Sequence, residues 1–92
     1  MSEDALAAEA LLGDEAQRFM KSDLGRLVLG LARQEVDRAI DDLLLADAAD
    51  VKAIRDIQLR AQLGAKFEEW LKNIVADGEQ SLQMLMAQRN QA

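Results

Sequence analysis

The sequence predicts an all-α fold: a long antiparallel helical hairpin with a short N-terminal helix and a helical C-terminal tail. Three observations carry this. The 92 residues contain no proline and only three aromatic side chains, while Ala, Leu, Gln, Glu, Asp and Arg dominate, a composition that favours helix throughout. Apolar residues recur at intervals of three and four over long stretches, which is the period of one helix face. A single acidic corner, Asp47 to Asp50, separates two such stretches with almost no loop, so the helices it joins lie antiparallel. No Gly/Ser/Pro linker divides the chain, and residues 1–92 form one helical domain.

Residues 1–13 make the first segment. Ser2 to Leu12 is rich in alanine and stops at Gly13, a short helix that frays unless something docks on it. Residues 14–46 make the first long helix with its lead-in turn. Asp14 followed by Gln17 fits a capping box that starts a turn over Glu15 to Lys21. Ser22 then caps a helix over Asp23 to Leu45, with Asp23 at its positive end. Val28, Leu31, Ala32, Val36, Ala39, Ile40 and Leu43 share an apolar arc of roughly half its circumference, wider than the ~100° stripe that one neighbour requires. Residues 47–77 make the second long helix, with Asp47 and Asp50 as its start signal and its first turn near Ala48. Its seam runs through Ile54, Ile57, Ala61 and Gly64, then Phe67, Leu71, Ile74 and Gly78. An unbroken heptad would place Glu68 after Gly64, so the short step predicts a stammer that overwinds the helix and turns its apolar face. Residues 78–92 are a helical tail: either Gly78 caps the helix and a fourth one turns back, or the helix runs on through Leu82 and Leu85.

Gly25 and Gly30 stand inside the first long helix, where each costs about 1 kcal/mol relative to alanine. They lie five residues apart and point about 140° away from each other, so they form no common surface. A membrane-type small-residue stripe needs a spacing of four, and a Walker loop needs a lysine where Leu31 stands. Close helix contact is the remaining reading. Folding the hairpin at its corner sets Gly30 level with Phe67 and Gly25 level with Leu71 and Lys72, and gathers Phe19, Phe67 and Trp70 at the end remote from the corner. Gly25 then makes room for Trp70 or Leu71, and Gly30 for the N-terminal segment or a second subunit.

Catalysis is poorly provided for. The chain has no histidine, cysteine or tyrosine, and Ser2, Ser22 and Ser81 read as helix-end residues without a general base. A histidine-free chain makes no Glu-x-x-His di-iron site, and Asp37, Asp41, Asp42, Glu68 and Glu69 stand three or four residues from Arg33, Arg38 and Lys72, as solvated ion pairs do. No catalytic, cofactor or metal residue is expected. Glu35, close to the apolar arc, is expected to pair across the hairpin with Arg60 or Lys66. Candidate protein-interaction residues are Phe67, Trp70, Leu71 and Ile74, which read either as core or as a helix-in-groove anchor, and Leu82, Leu85 and Met86 of the tail, where Met84 also lacks an obvious partner.

A net charge of −6 repels a phosphate backbone, so direct nucleic-acid binding is disfavoured. The longest apolar run, Leu27 to Ala32, falls far short of a membrane span, and the absence of cysteine suits a reducing cytosol.

The runs "LLGDEAQRFMKSDLGRLVLGLARQEVDRAI", "DVKAIRDIQLRAQ" and "FEEWLKNIVADGEQSLQML" resemble small helical proteins of tailed-bacteriophage and prophage gene clusters, over residues 11–86. The resemblance implies a phage-derived helical hairpin protein, associated with head or packaging genes, in a bacterial cytoplasm or a virion. It brings no catalytic residues. The expected function is a self-associating, non-enzymatic assembly or adaptor component whose partners are further copies of itself or another phage or host protein. The alternatives are an acidic inhibitor that covers a host protein's basic surface through Asp37, Asp41 and Asp56, and a small terminase-like packaging subunit, against which the missing basic helix-turn-helix counts.

Overall fold

A computed structural model describes residues 2–91, and every regular element among them is helical: α1 (Glu3–Lys21), α2 (Asp23–Leu45) and α3 (Val51–Asn90). The all-α class and the hairpin of α2 on α3 agree with the sequence reading. α3 is 40 residues long, about 60 Å at 1.5 Å per residue, and it spans the long dimension of a 64 × 28 × 14 Å molecule. Both α1 and α2 run antiparallel to it. α2 covers its N-terminal half, where Arg33 meets Glu68 and Asp42 meets Arg60; α1 covers its C-terminal half, where Gly13 meets Gly78 and Glu3 meets Arg89. The result is a ribbon two helices wide and one helix thick.

The joint between α1 and α2 is a single residue. Ser22 is extended (φ −72°, ψ 160°), its Oγ accepts the Gly25 N–H at 2.9 Å, and its hydroxyl donates to the Phe19 carbonyl at 2.6 Å. One serine thus ends one helix and caps the next. At the hairpin corner Asp47 accepts the Ala49 N–H, and Asp50 accepts the Ala53 N–H at 3.1 Å. α3 therefore starts at Val51, three residues later than the sequence suggested, because Asp50 rather than Asp47 is the cap.

One boundary expectation is corrected and an open one is decided. α1 passes through Gly13 without a break, and Asp14 pairs with Arg18 on the outer face instead of opening a capping box with Gln17. α3 likewise continues through Gly78, so the tail extends it and no fourth helix turns back. Both glycines are interior residues because they face each other. A Cβ on Gly13 would lie 2.8 Å from the Gly78 Cα, and one on Gly78 would lie 2.9 Å from the Glu9 carbonyl oxygen. Helix backbones approach this closely only where both lack side chains, and the helix-propensity penalty is offset by that contact.

A further correction concerns the seam. On α3 the inward residues Ile57, Gly64, Leu71, Gly78 and Leu85 recur every seven positions without interruption. The residue between Gly64 and Leu71 is Glu68, half-buried with a side chain 18% exposed. No stammer exists: the heptad is kept by a carboxylate where an apolar residue was sought, and a constant seven-residue repeat holds one seam along the whole helix. Gly25, Leu29, Ala32, Val36 and Ala39 supply the matching repeat on α2.

This seam is thin. Among the described residues the buried apolar side chains are Leu6, Ala16, Leu29, Ala39, Ile57 and Leu85, and Leu6 alone among the large ones is wholly enclosed. Small residues bring the helices close but remove little apolar area from water.

Candidate interaction surface

A ribbon one helix thick has two broad flanks, and side-chain pairings show which residues share each. Arg33 of α2 donates to Glu68 of α3 at 2.7 Å, and Lys72 reaches the same carboxylate at 2.8 Å. These three, with Val36, Asp37, Gly64 and Glu69, line an open groove of about 610 Å³. The adjoining cleft between α1 and α3 has an apolar floor of Met20, Val75 and Ala76 and is rimmed by Gln17, Lys21, Lys72 and Glu79. This is the charged flank.

Hydrogen bonds from Arg33, then Lys72, lower the Glu68 carboxyl from 4.5 to about 2, and the same bond raises Arg33. Between those two values the folded chain binds fewer protons than the unfolded one, so the stabilisation is complete above pH 4.5 and is lost as pH falls through about 2. Glu68→Gln is therefore expected to lower the melting temperature at neutral pH, with the gap to wild type closing across that acid range. A gap constant from neutral pH to pH 2 would contradict the pairing.

The opposite flank is marked by the Arg60–Asp42 pair near the corner and by Ser81, 4% exposed, whose hydroxyl donates to Glu9. Its middle is apolar, between Glu35 on the corner side and Asp77 on the other. Phe67, Trp70 and Ile74 succeed one another at three- and four-residue steps on the side of α3 turned away from Glu68 and Lys72. Leu24, Val28 and Leu31 do the same on α2, turned away from Arg33, and Phe19 of α1 lies on the same flank just before the joint. Trp70 is 56% exposed and Leu31 52%. Phe19, Phe67 and Trp70 thus share one flank at mid-length, where α1 meets α2, and not the end remote from the corner.

The candidate interaction residues thus separate. Phe67, Trp70 and Ile74 share the aromatic flank. Leu71 and Leu85 belong to the seam, half-buried and buried respectively. Leu82 and Met86 turn toward the charged flank, Leu82 beside a small cleft with Ala10 and Gly13. Leu44 and Leu45 stand exposed at the hairpin tip, Leu45 at 87%.

Gly25 is a close contact, but with a different partner from the one expected: a Cβ there would overlap the Phe19 carbonyl, not Trp70 or Leu71. Gly30 has nothing within 4 Å of its Cβ position, so the close helix approach expected there does not occur within this chain. Glu35 pairs with Arg38 one turn away on its own helix, because Arg60 is taken by Asp42 and Lys66 by Glu69. Asp37 lines the charged groove, whereas Asp56 lies on the other flank of α3, so these acids do not converge on one surface. Sequence reasoning passed over the Gly13–Gly78 crossing. Its signal was the spacing of Gly64 and Gly78, two heptads apart on one helix face.

Among the described residues no group of three or more acidic side chains is placed to hold a metal ion, and no helix is long and apolar enough to cross a membrane. No family model, curated protein or solved structure matches this chain.

Proposed function

We propose that the chain is a non-enzymatic helical assembly component that completes its core by self-association. One observation carries the reading. A compact monomer of 10.2 kDa exposes about 5,300 Å², whereas this chain exposes 6889 Å². The excess of about 1,600 Å² is twice the roughly 800 Å² that each partner loses in a standard interface. A Cα radius of gyration of 18.7 Å, against about 12 Å for a compact domain of this length, supports the same conclusion. An adaptor or scaffold role in a phage, in a bacterial cytoplasm or a virion, rests on the sequence resemblance alone. Sedimentation equilibrium across a micromolar dilution series tests the self-association. The expected result is an apparent mass of at least two chains that falls on dilution together with helical ellipticity. A fully helical single chain at every concentration would overturn it.

A further inference from the structure

We propose that a second copy of this chain docks on the aromatic flank, in an isologous pairing centred on Trp70. This rests on the self-association reading above and names the surface that performs it.

The choice between flanks follows from what lies at mid-length on each. On the charged flank the groove is lined by Arg33, Asp37, Glu68 and Lys72, and covering it would strip water from Arg33 and Lys72, whose side chains are 68% and 63% exposed. On the aromatic flank the same length of ribbon presents Leu24, Val28 and Leu31 from α2 beside Phe67, Trp70 and Ile74 from α3, with no charged side chain among these six. Burying them costs no ion desolvation. A tryptophan at the middle of an apolar patch with a polar rim is the arrangement in which a single side chain contributes most to binding.

Size and symmetry point to another copy rather than a small ligand. The flank is a surface and not a pocket, and the whole-chain excess of about 1,600 Å², divided over two flanks, corresponds to the roughly 800 Å² that each partner loses in a standard interface. The patch is bounded along the ribbon by charge in both directions: Glu35 and the Arg60–Asp42 pair toward the corner, Asp77 and Glu9 toward the other end. Its centre is Trp70, so a two-fold axis through that centre superposes one apolar patch on the other and keeps the charged ends in water.

The full chain tests this directly because it contains one tryptophan and no cysteine. Trp70 emission is expected to shift to the blue, and its quenching by acrylamide to weaken several-fold, as concentration rises through the association range. In single-cysteine variants, Leu31→Cys on the aromatic flank is expected to react with a thiol reagent at least tenfold more slowly in the oligomer than in the diluted chain. Leu82→Cys on the other flank is expected to react equally fast in both. An oligomer in which Trp70 remains quenchable and Leu82→Cys is the protected variant would overturn this docking face while leaving self-association intact. A chain monomeric at all concentrations would overturn the self-association reading itself.

Discussion

Replacing Gly78 with leucine is expected to detach α1 from α3 while leaving the α2–α3 hairpin folded. At the crossing, the Gly13 backbone occupies the place where any side chain on Gly78 would begin, 2.7 Å from the Cβ position. Only backbone lies there, so no rotamer change relieves the overlap, and the cost stands at the upper end of overpacking effects, about 3 kcal/mol or more. The crossing is the centre of the α1–α3 contact, which otherwise rests on Leu6 and Ala16 of α1, Leu85 of α3, and the Ser81–Glu9 and exposed Arg89–Glu3 ties. A detached helix of 19 residues loses the tertiary packing that supplies most of a helix's stability in a protein. Hydrogen exchange should therefore show residues 3–21 losing protection, with residues 25–75 changing far less. The smaller change Gly78→Ala separates the two forces involved. Alanine gains about 1 kcal/mol of helix propensity, so a net loss of stability would show that the crossing outweighs it, and a net gain would contradict the close approach.

Gly25→Ala should lower the melting temperature by more than about 10 °C, from a loss of about 2–3 kcal/mol. The added methyl falls on the Phe19 carbonyl, the group that also accepts the Ser22 hydroxyl, so the one-residue joint has to open and its cap is lost with it. Gly30→Ala is the matched control. Nothing lies within 4 Å of that position, and the same substitution should stabilise the chain by about 1 kcal/mol. Opposite signs at two glycines five residues apart in one helix would confirm that local crowding, not glycine content, decides the outcome. Equal losses at both would contradict it.

The extent to which this architecture is visible in the sequence depends on which forces write local signals. Capping does. Ser22 was recognisable because a short oxygen-bearing side chain before an apolar-periodic run has one common use, and it accepts the N–H three residues on; at the corner the acidic pair was recognisable, but the cap is Asp50 and not Asp47. The corner and the antiparallel hairpin followed from them. Gly13 was misread as a helix end, and Gly78 was left open between a cap and a continuing helix, for a related reason: glycine most often stops a helix, and a helix-interior glycine justified by a backbone 65 residues away along the chain leaves no local trace. Hydropathy alone also misplaced the seam. Phe67 looked like the natural successor to Gly64, yet Glu68 keeps the heptad because Arg33 and Lys72 satisfy its carboxylate. Once Glu68 is in the seam, Phe67, Trp70 and Ile74 are displaced to one flank. The same ionic arrangement that repairs the repeat is what leaves the aromatic surface uncovered.

That uncovered surface makes the shape of the protein in solution the decisive observation. Small-angle X-ray scattering reports mass and longest dimension together. Two ribbons stacked face to face should give twice the mass of one chain with a longest dimension little greater than the 64 Å of a single ribbon, since stacking adds thickness and not length. A particle of single-chain mass with a radius of gyration near 12 Å, the value for a compact domain of this size, would mean that α1 has folded back over the aromatic flank within one chain, and would contradict the account.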